Sequence, residues 1–437
     1  MRENDDQNLE SFLVVNQTGM PNQDQPSKMR HFYLIICITI LSGFAMHGAP
    51  WVPFHPDEST YLYMSNDFDL LIKRPTSLAF DPKISYDPRQ RYRLIDAPIT
   101  RYFLGLVRNL SKQEALKSDW DWSSDWEENQ ATGAFPPSAL LHSARLANSL
   151  LYPVCLYLTF LIGKRLGGFD TGLVAMLLFG LNALVLLHNR RLMAESWLTL
   201  GILLTLWGIF NIKQKPWLVG IGLSLAINAK HSAILLVPVV IFASLLPIYQ
   251  EKNQLRKCTL NLSISLVILS GCTAILNPIF WNAPIKAFEN TLKIRTELVQ
   301  QQILDSGRTQ NNGLIQQTLQ NRGSLLTNLY LRPPAFYEGG NYAENTATSQ
   351  ENYQQIIGHQ LLRTPLGAGI SLFLTLLGLL SSLKNYSLLS SFQKADYILV
   401  WLAGFSLFIG TLIMVPLPWQ RYVIPLVPFT CLWMAYG

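Results

Sequence analysis

Charge is what this sequence has least of. Only 14% of its 437 residues are Asp, Glu, Lys or Arg, where soluble globular chains carry about 25%. Mean hydropathy is positive at +0.20, and the missing charges come out of particular stretches, long enough to cross a ~30 Å hydrocarbon core. That pattern excludes a soluble enzyme and a disordered chain. No basic stripe stands apart from the ends of the apolar runs, so a nucleic-acid binder is excluded too. The five cysteines, Cys37, Cys155, Cys258, Cys272 and Cys431, form no CxxC pair, and neither a disulfide framework nor a thiolate metal site is indicated. No Walker or Rossmann glycine pattern occurs, which leaves ATP-driven and nucleotide-sugar mechanisms without support. The first thirty residues lack the basic n-region of a cleaved signal peptide, so the first apolar run is expected to stay as an anchor.

What is present is a series of apolar runs near 32–48, 138–162, 171–187, 192–210, 217–229, 232–249, 258–276, 366–383, 396–415 and 422–437. They read as about ten transmembrane helices of an all-α integral membrane protein, because no alternating barrel pattern occurs and only helices otherwise satisfy their backbone in lipid. Basic clusters flank these runs at Lys28 and Arg30, Lys164 and Arg165, Lys213 and Lys215, and Lys252, Arg256 and Lys257. All fall on one face, which the positive-inside tendency makes cytoplasmic. The expected organisation is a cytoplasmic tail at 1–30 and a polytopic domain at 31–437, whose outer side receives the long loops 49–137 and 277–365.

The first of those loops carries 13 of the 28 acidic residues, too many for a passive connector. Tyr61, Met64, Phe68 and Leu71, and then Ile99, Tyr102, Phe103, Leu106, Val107 and Leu110, stand at helical spacing. Two amphipathic juxtamembrane helices are expected, with Arg101 and Arg108 on the polar side; the alternative is a small soluble subdomain. Asp119, Asp121, Ser123 and Asp125 imitate the start of a calcium loop but lack its glycine and closing glutamate, so no metal is indicated. Residues 300–323, rich in Gln and Asn, suit a loop able to cover a site.

Candidate chemistry begins just after the first run, in His55-Pro56-Asp57-Glu58-Ser59-Thr60-Tyr61. Adjacent side chains on a helix diverge by about 100°, so Asp57 and Glu58 should have separate tasks. The competing reading makes Asp57 a helix cap. Further charges gather at the outer ends of other runs: Arg145, the group His188, Asn189, Arg190, Arg191 and Glu195, then Lys230 with His231, and Arg421 with Tyr422. Ionisable groups in apolar segments are costly and usually mark a site. An acidic base beside several cations at a bilayer suits displacement of a lipid phosphate.

In order, Asp57-Glu58-x-x-Tyr61, Arg145-Leu-Ala-Asn148, Gly163-Lys-Arg-Leu-Gly-Gly168, Arg191-Leu-Met-Ala-Glu195, Ala229-Lys-His-Ser-Ala233 and Arg421-Tyr-Val-Ile-Pro-Leu-x-Pro428 follow one another along the chain. From residue 30 onward this order resembles the GT-C membrane glycosyltransferases of family 39, relatives of dolichyl-phosphate-mannose protein mannosyltransferases and lipid A aminoarabinose transferases. The resemblance implies a GT-C fold and an inverting transfer of a hexose or pentose from a polyprenyl-phosphate donor to a hydroxyl of a lipid, glycan or protein, in a bacterial inner membrane. It matches Asp57 to the family's catalytic acid with Glu58 beside it, Glu195 to its second acidic position, and Arg145 to its structural arginine. The donor phosphate is expected among Lys230, Arg421 and Arg190 or Arg191, with Tyr61, His231 and Tyr422 in support; membrane lipids are the other partners and no cofactor is implied. Two departures stand out. The family's His-Pro-Pro string appears only as Asp96-Ala97-Pro98-Ile99, and 277–365 is too short for the β-trefoil insertion of eukaryotic protein mannosyltransferases, which argues against a protein acceptor. A transporter or flippase of lipid-linked sugars is the alternative; inverted repeats and broken helices would favour it.

Overall fold

In the computed structural model every regular element is helical among the described residues, which are 28–84, 87–250, 255–305, 314–336, 342–356, 358–414, 417 and 419–437. Residues 1–27 of the expected tail and 306–313 of the expected covering loop lie outside this set. The chain clusters into two units, one up to Ile40 and one from Leu41 to Gly437. The first contributes most of helix α1 (Lys28–Gly48); the second holds all the other described elements.

The first long loop folds as α2 (Pro56–Met64), α3 (Asn66–Lys73), α4 (Pro88–Ile95), α5 (Ile99–Leu110) and α6 (Trp126–Ala131). The helix expected at 98–110 is α5. The one expected at 61–72 divides at Ser65, whose hydroxyl turns back to the Leu62 carbonyl at 2.6 Å. Both keep an apolar outer rim, since Ile72, Leu106 and Leu110 are exposed. Arg101 and Arg108, however, face inward. Asp67, fully buried on α3, takes Arg93 at 2.7 Å and Arg101 at 3.4 Å, and Asp69 pairs with Arg108. Much of the loop's acidity is therefore internal glue. Phe54, Trp120, Trp126 and Phe135 stack around one another with ring separations of 4.8–5.9 Å, in a core shared with Leu62, Leu104, Leu140 and Leu141. The calcium-like string forms a turn and a cap: Asp121 accepts the Ser123 N–H and Asp125 that of Glu128.

The remaining helices are α7 (Ser138–Ser149), α8 (Tyr152–Gly180), α9 (Ala183–Arg190), α10 (Ala194–Phe210), α11 (Pro216–Ala229), α12 (Val237–Gln250), α13 (Leu255–Leu276), α14 (Pro284–Asp305), α15 (Leu314–Tyr330), α16 (Ala347–Gln354), α17 (Pro365–Asn385), α18 (Ser391–Met414) and α19 (Val427–Tyr436). Helix α8 is a hairpin. Its backbone leaves helical geometry at Gly167 and Gly168, the latter at φ +88°, where a side chain would be strained. The Tyr152 hydroxyl then reaches the Gly180 carbonyl at 2.6 Å, so the two arms run back along one another as the separate runs expected. In the next pair, Gly201 of α10 and Gly222 of α11 let main chains touch; a Cβ on either would lie 2.4–2.5 Å from backbone nitrogen. Small residues at such crossings are how helices approach closely in lipid.

Among the described residues five helical stretches are long and apolar enough to span a membrane, and the pair α9 and α10, bent by 119°, makes a sixth if it counts as one span. The other apolar runs are shortened by breaks. Residues 191–193, the 3₁₀ turn His231–Leu236 and the 3₁₀ turn Gln420–Leu426 interrupt them. Irregular backbone of this kind is tolerated in apolar surroundings only where protein buries it. Arg165 pairs with Asp396 at 2.6 Å, and the Tyr397 hydroxyl meets the Leu166 carbonyl at 2.8 Å, setting the α8 turn beside the start of α18.

Candidate functional site

Helix α2 begins at Pro56, and its cap is His55. The His55 Nδ1 accepts the Asp57 N–H at 3.1 Å, while Glu58 reaches back to the His55 N–H at 3.0 Å. This reciprocal capping box satisfies the first turn and leaves the Asp57 side chain free of that duty. Burial drives His55 down to about 4, despite the opposing pull of Asp57, so its ring is neutral and can accept. Glu58 is 0% exposed. Its carboxylate takes Arg145 Nε at 2.8 Å and Nη2 at 2.6 Å, and the Leu192 N–H at 3.1 Å. Arg145 Nη1 continues to the Val52 carbonyl at 2.8 Å. Glu58 and Arg145 thus lock the first loop onto α7 and onto the break before α10. Burial opposes ionisation of Glu58, but Arg145 outweighs it and holds the carboxyl below its ordinary range.

Asp57 faces a different environment. It pairs with Arg421, and both side chains keep some exposure, 27% and 15%. Burial raises the Asp57 carboxyl, but Arg421, His55 and Lys230 together bring it below the ordinary value. Arg421 lies 4.5 Å from the Trp419 ring centre, Trp419 stacks on Tyr422 at 5.7 Å, and Lys230 sits 5.0 Å from the Tyr422 ring. Lys230 in turn holds Glu195 at 2.8 Å. Two ion pairs share one aromatic wall. Tyr61 completes the group; burial, then Asp96, Glu195 and Asp57, raise its hydroxyl. Of the residues expected from sequence, Asp57, Tyr61, Glu195, Lys230, Arg421 and Tyr422 therefore converge, and His231 stands at the edge, 3.1 Å from Arg295.

Arg190 and Arg191, expected as alternative phosphate contacts, donate instead to groups outside this cluster. Arg190 is fully buried and donates to the Ala45 carbonyl at 3.0 Å, the Phe44 carbonyl at 2.7 Å and the Tyr353 hydroxyl at 2.7 Å. Arg191 donates to the Phe336 carbonyl at 2.6 Å and the Pro53 carbonyl at 3.2 Å. Five-donor guanidinium forks knit loop ends together here, because carbonyls freed at broken helices need partners.

Two site residues escaped the sequence reading. Arg295, on α14, reaches the Ile95 carbonyl and His231; its helix shows no local sign of that role. Asp96 closes α4 where the family's string departs. Burial raises it to about 6, against Arg295 and Arg101, which lower it, with Asp57 adding to the rise. A native carboxyl that binds its proton more tightly than the unfolded chain adds nothing at pH below 3.8, subtracts stability progressively as pH climbs from 3.8 to about 6, and exacts the full cost above that. Asp96→Asn should accordingly stabilise the protein at pH 8 by on the order of 2 kcal/mol after allowing for partial exposure, seen as a higher unfolding temperature, and leave that temperature unchanged near pH 3.5. An equal gain at both pH values would refute this.

Residues 84–281 match the family model of the dolichyl-phosphate-mannose-protein mannosyltransferases. The match spans the motifs from Arg145-Leu-Ala-Asn148 to Ala229-Lys-His-Ser-Ala233. The match takes in Asp96, Arg145, Glu195, Lys230 and His231, and stops short of Asp57, Glu58 and Arg421. The chain is also similar to the archaeal oligosaccharyltransferase AglB from Archaeoglobus fulgidus, solved in complex with an inhibitory peptide and a dolichol-phosphate. Identity is 11%, the TM-score is 0.47, and the similarity covers 94% of this chain and 50% of that one, so the chain spans half the length of this solved structure. No curated protein matches the chain.

Proposed function

We propose that the protein is a GT-C membrane glycosyltransferase that moves a sugar from a polyprenyl-phosphate donor to an acceptor hydroxyl, with inversion. The observation that carries the reading is the pairing of Asp57 with Arg421 beside Lys230, partly exposed charges at the helix breaks, while the neighbouring Glu58, Arg145, Arg190 and Arg191 are buried and spent. The positive-inside tendency of the basic clusters in the sequence supports a site facing away from the cytoplasm. The acceptor oxygen attacks the anomeric carbon as its proton passes to Asp57; the bond from that carbon to the phosphate oxygen breaks and its electron pair leaves with the phosphate, whose charge Arg421 and Lys230 stabilise. In the free enzyme Arg421 makes Asp57 a weak base. A bound phosphate draws on the same guanidinium, loosens its hold on Asp57 and raises the basicity of the carboxylate when the donor is in place.

The transporter reading draws on the breaks at 191–193 and 231–236, so the test separates the two. Replacing Lys230 or Arg421 with Gln removes a charge-assisted contact worth roughly 1.5–3 kcal/mol, which should weaken donor binding by about one to two orders of magnitude. An enzyme needs those charges most as the phosphate leaves, so the rate at saturating donor should fall as well. Purified protein in lipid with a labelled polyprenyl-phosphate sugar and envelope acceptors should release free polyprenyl phosphate, more slowly in both variants. Movement of intact donor between leaflets without cleavage would replace this reading with the flippase.

A further inference from the structure

Away from Asp57, a cavity of about 160 Å³ lies between the second arm of α8 and helices α15, α17 and α19. Its walls are mostly apolar, with Leu177, Leu181, Leu329 and Met434 among them, and Val174, Leu361 and Leu362 on its lining are each about two-fifths exposed. That volume is on the scale of apolar cavities that admit a benzene-sized guest. Asn182, Tyr330, Ser371 and Thr430 add neutral polar groups to the lining, and Arg363 is its one charged residue. Arg363, 6% exposed, lines the cavity and donates to the Asn328 carbonyl at 2.7 Å, with the Arg332 carbonyl at 3.4 Å and Asn182 Oδ1 at 3.5 Å.

Those contacts occupy its N–H groups with neutral oxygens and leave its charge unmet. No carboxylate pairs with Arg363 among the described residues, and burial alone brings the guanidinium down to about 10, opposed only by Cys431. An ionised group in apolar surroundings is expensive unless paired. The cavity is open at an apolar rim and closed at a cation, so its complement is a molecule with an apolar tail and an anionic end.

We propose that this cavity binds an anionic glycerophospholipid, one acyl-chain segment between the helices and the phosphate on Arg363. None of its lining residues belongs to the Asp57 site, so the lipid is a second ligand rather than the sugar donor. It would tie α17 and α19 to the α8 hairpin. The test is delipidated full-length protein in mild detergent, titrated with phosphatidylglycerol, phosphatidylcholine or a polyprenyl phosphate and read by native mass spectrometry. Wild type should retain phosphatidylglycerol at least about tenfold better than phosphatidylcholine, and Arg363→Gln should lose roughly ten- to a hundredfold of that retention, with Arg363→Lys keeping most of it. Val174→Trp, on an exposed position at the mouth, should block retention while leaving Arg363 in place, and decides the matter even where Arg363→Gln fails to fold. Equal retention of the two phospholipids, unchanged retention in Val174→Trp, or preference for polyprenyl phosphate over phosphatidylglycerol would each overturn the proposal.

Discussion

Asp57→Asn should lower sugar transfer by at least the ~10²-fold typical of losing a positioned base, while the protein inserts and folds as before. The expectation of an intact fold rests on geometry: the cap of α2 is His55, not Asp57, and the Asp57 side chain is 27% exposed. Asparagine keeps the shape and one hydrogen-bond acceptor for Arg421. It also leaves the Arg421 charge uncompensated, so the variant should bind an anionic donor at least as tightly as wild type. A fall in turnover without loss of donor affinity is therefore the signature of the proposed role. A variant that turns over near the normal rate would remove Asp57 from the mechanism, and one that merely unfolds would return it to a structural role.

The second large effect belongs to the adjacent residue and has the opposite character. Glu58→Gln should destabilise the protein by about 3–5 kcal/mol, because it strands the Arg145 guanidinium in a site where both partners are 2% exposed or less. Arg145→Leu should cost a similar amount. The double change Glu58→Leu with Arg145→Leu should cost far less than the sum of the singles, since removing both members of a buried pair leaves no charge behind. Thermal unfolding of the purified variants measures all three. If Glu58→Gln were instead stable and inactive, Glu58 would be a catalytic carboxylate after all, and its bond to Arg145 a secondary feature.

The contrast between neighbours shows where sequence reading succeeds and where it stops. Apolar runs, the division between 138–162 and 171–187 and the amphipathic pattern of 99–110 were legible because each is a property of a few consecutive residues. So was the position of Asp57 beside a membrane exit. The count of ten spans was less legible, because a hydrophobic run does not say whether its helix is continuous, and the breaks at 191–193, 231–236 and 420–426 divide the apolar chain into shorter pieces. Arg190 and Arg191 read like ligands in sequence because a cation in an apolar stretch must be satisfied, and in the structure main-chain carbonyls accept from both.

Composition and pattern alone determined that this chain is a helical membrane protein. Hydropathy and charge are summed locally, and lipid punishes any exception. The tertiary structure decided which charges pair. Asp57 meets Arg421 across 364 positions, Glu58 meets Arg145 across 87 and Glu195 meets Lys230 across 35. Whether a carboxylate is a site group or a buried strut depends on the partner that arrives from elsewhere in the chain and on how much water remains around the pair, and neither is written in the residues on its two sides.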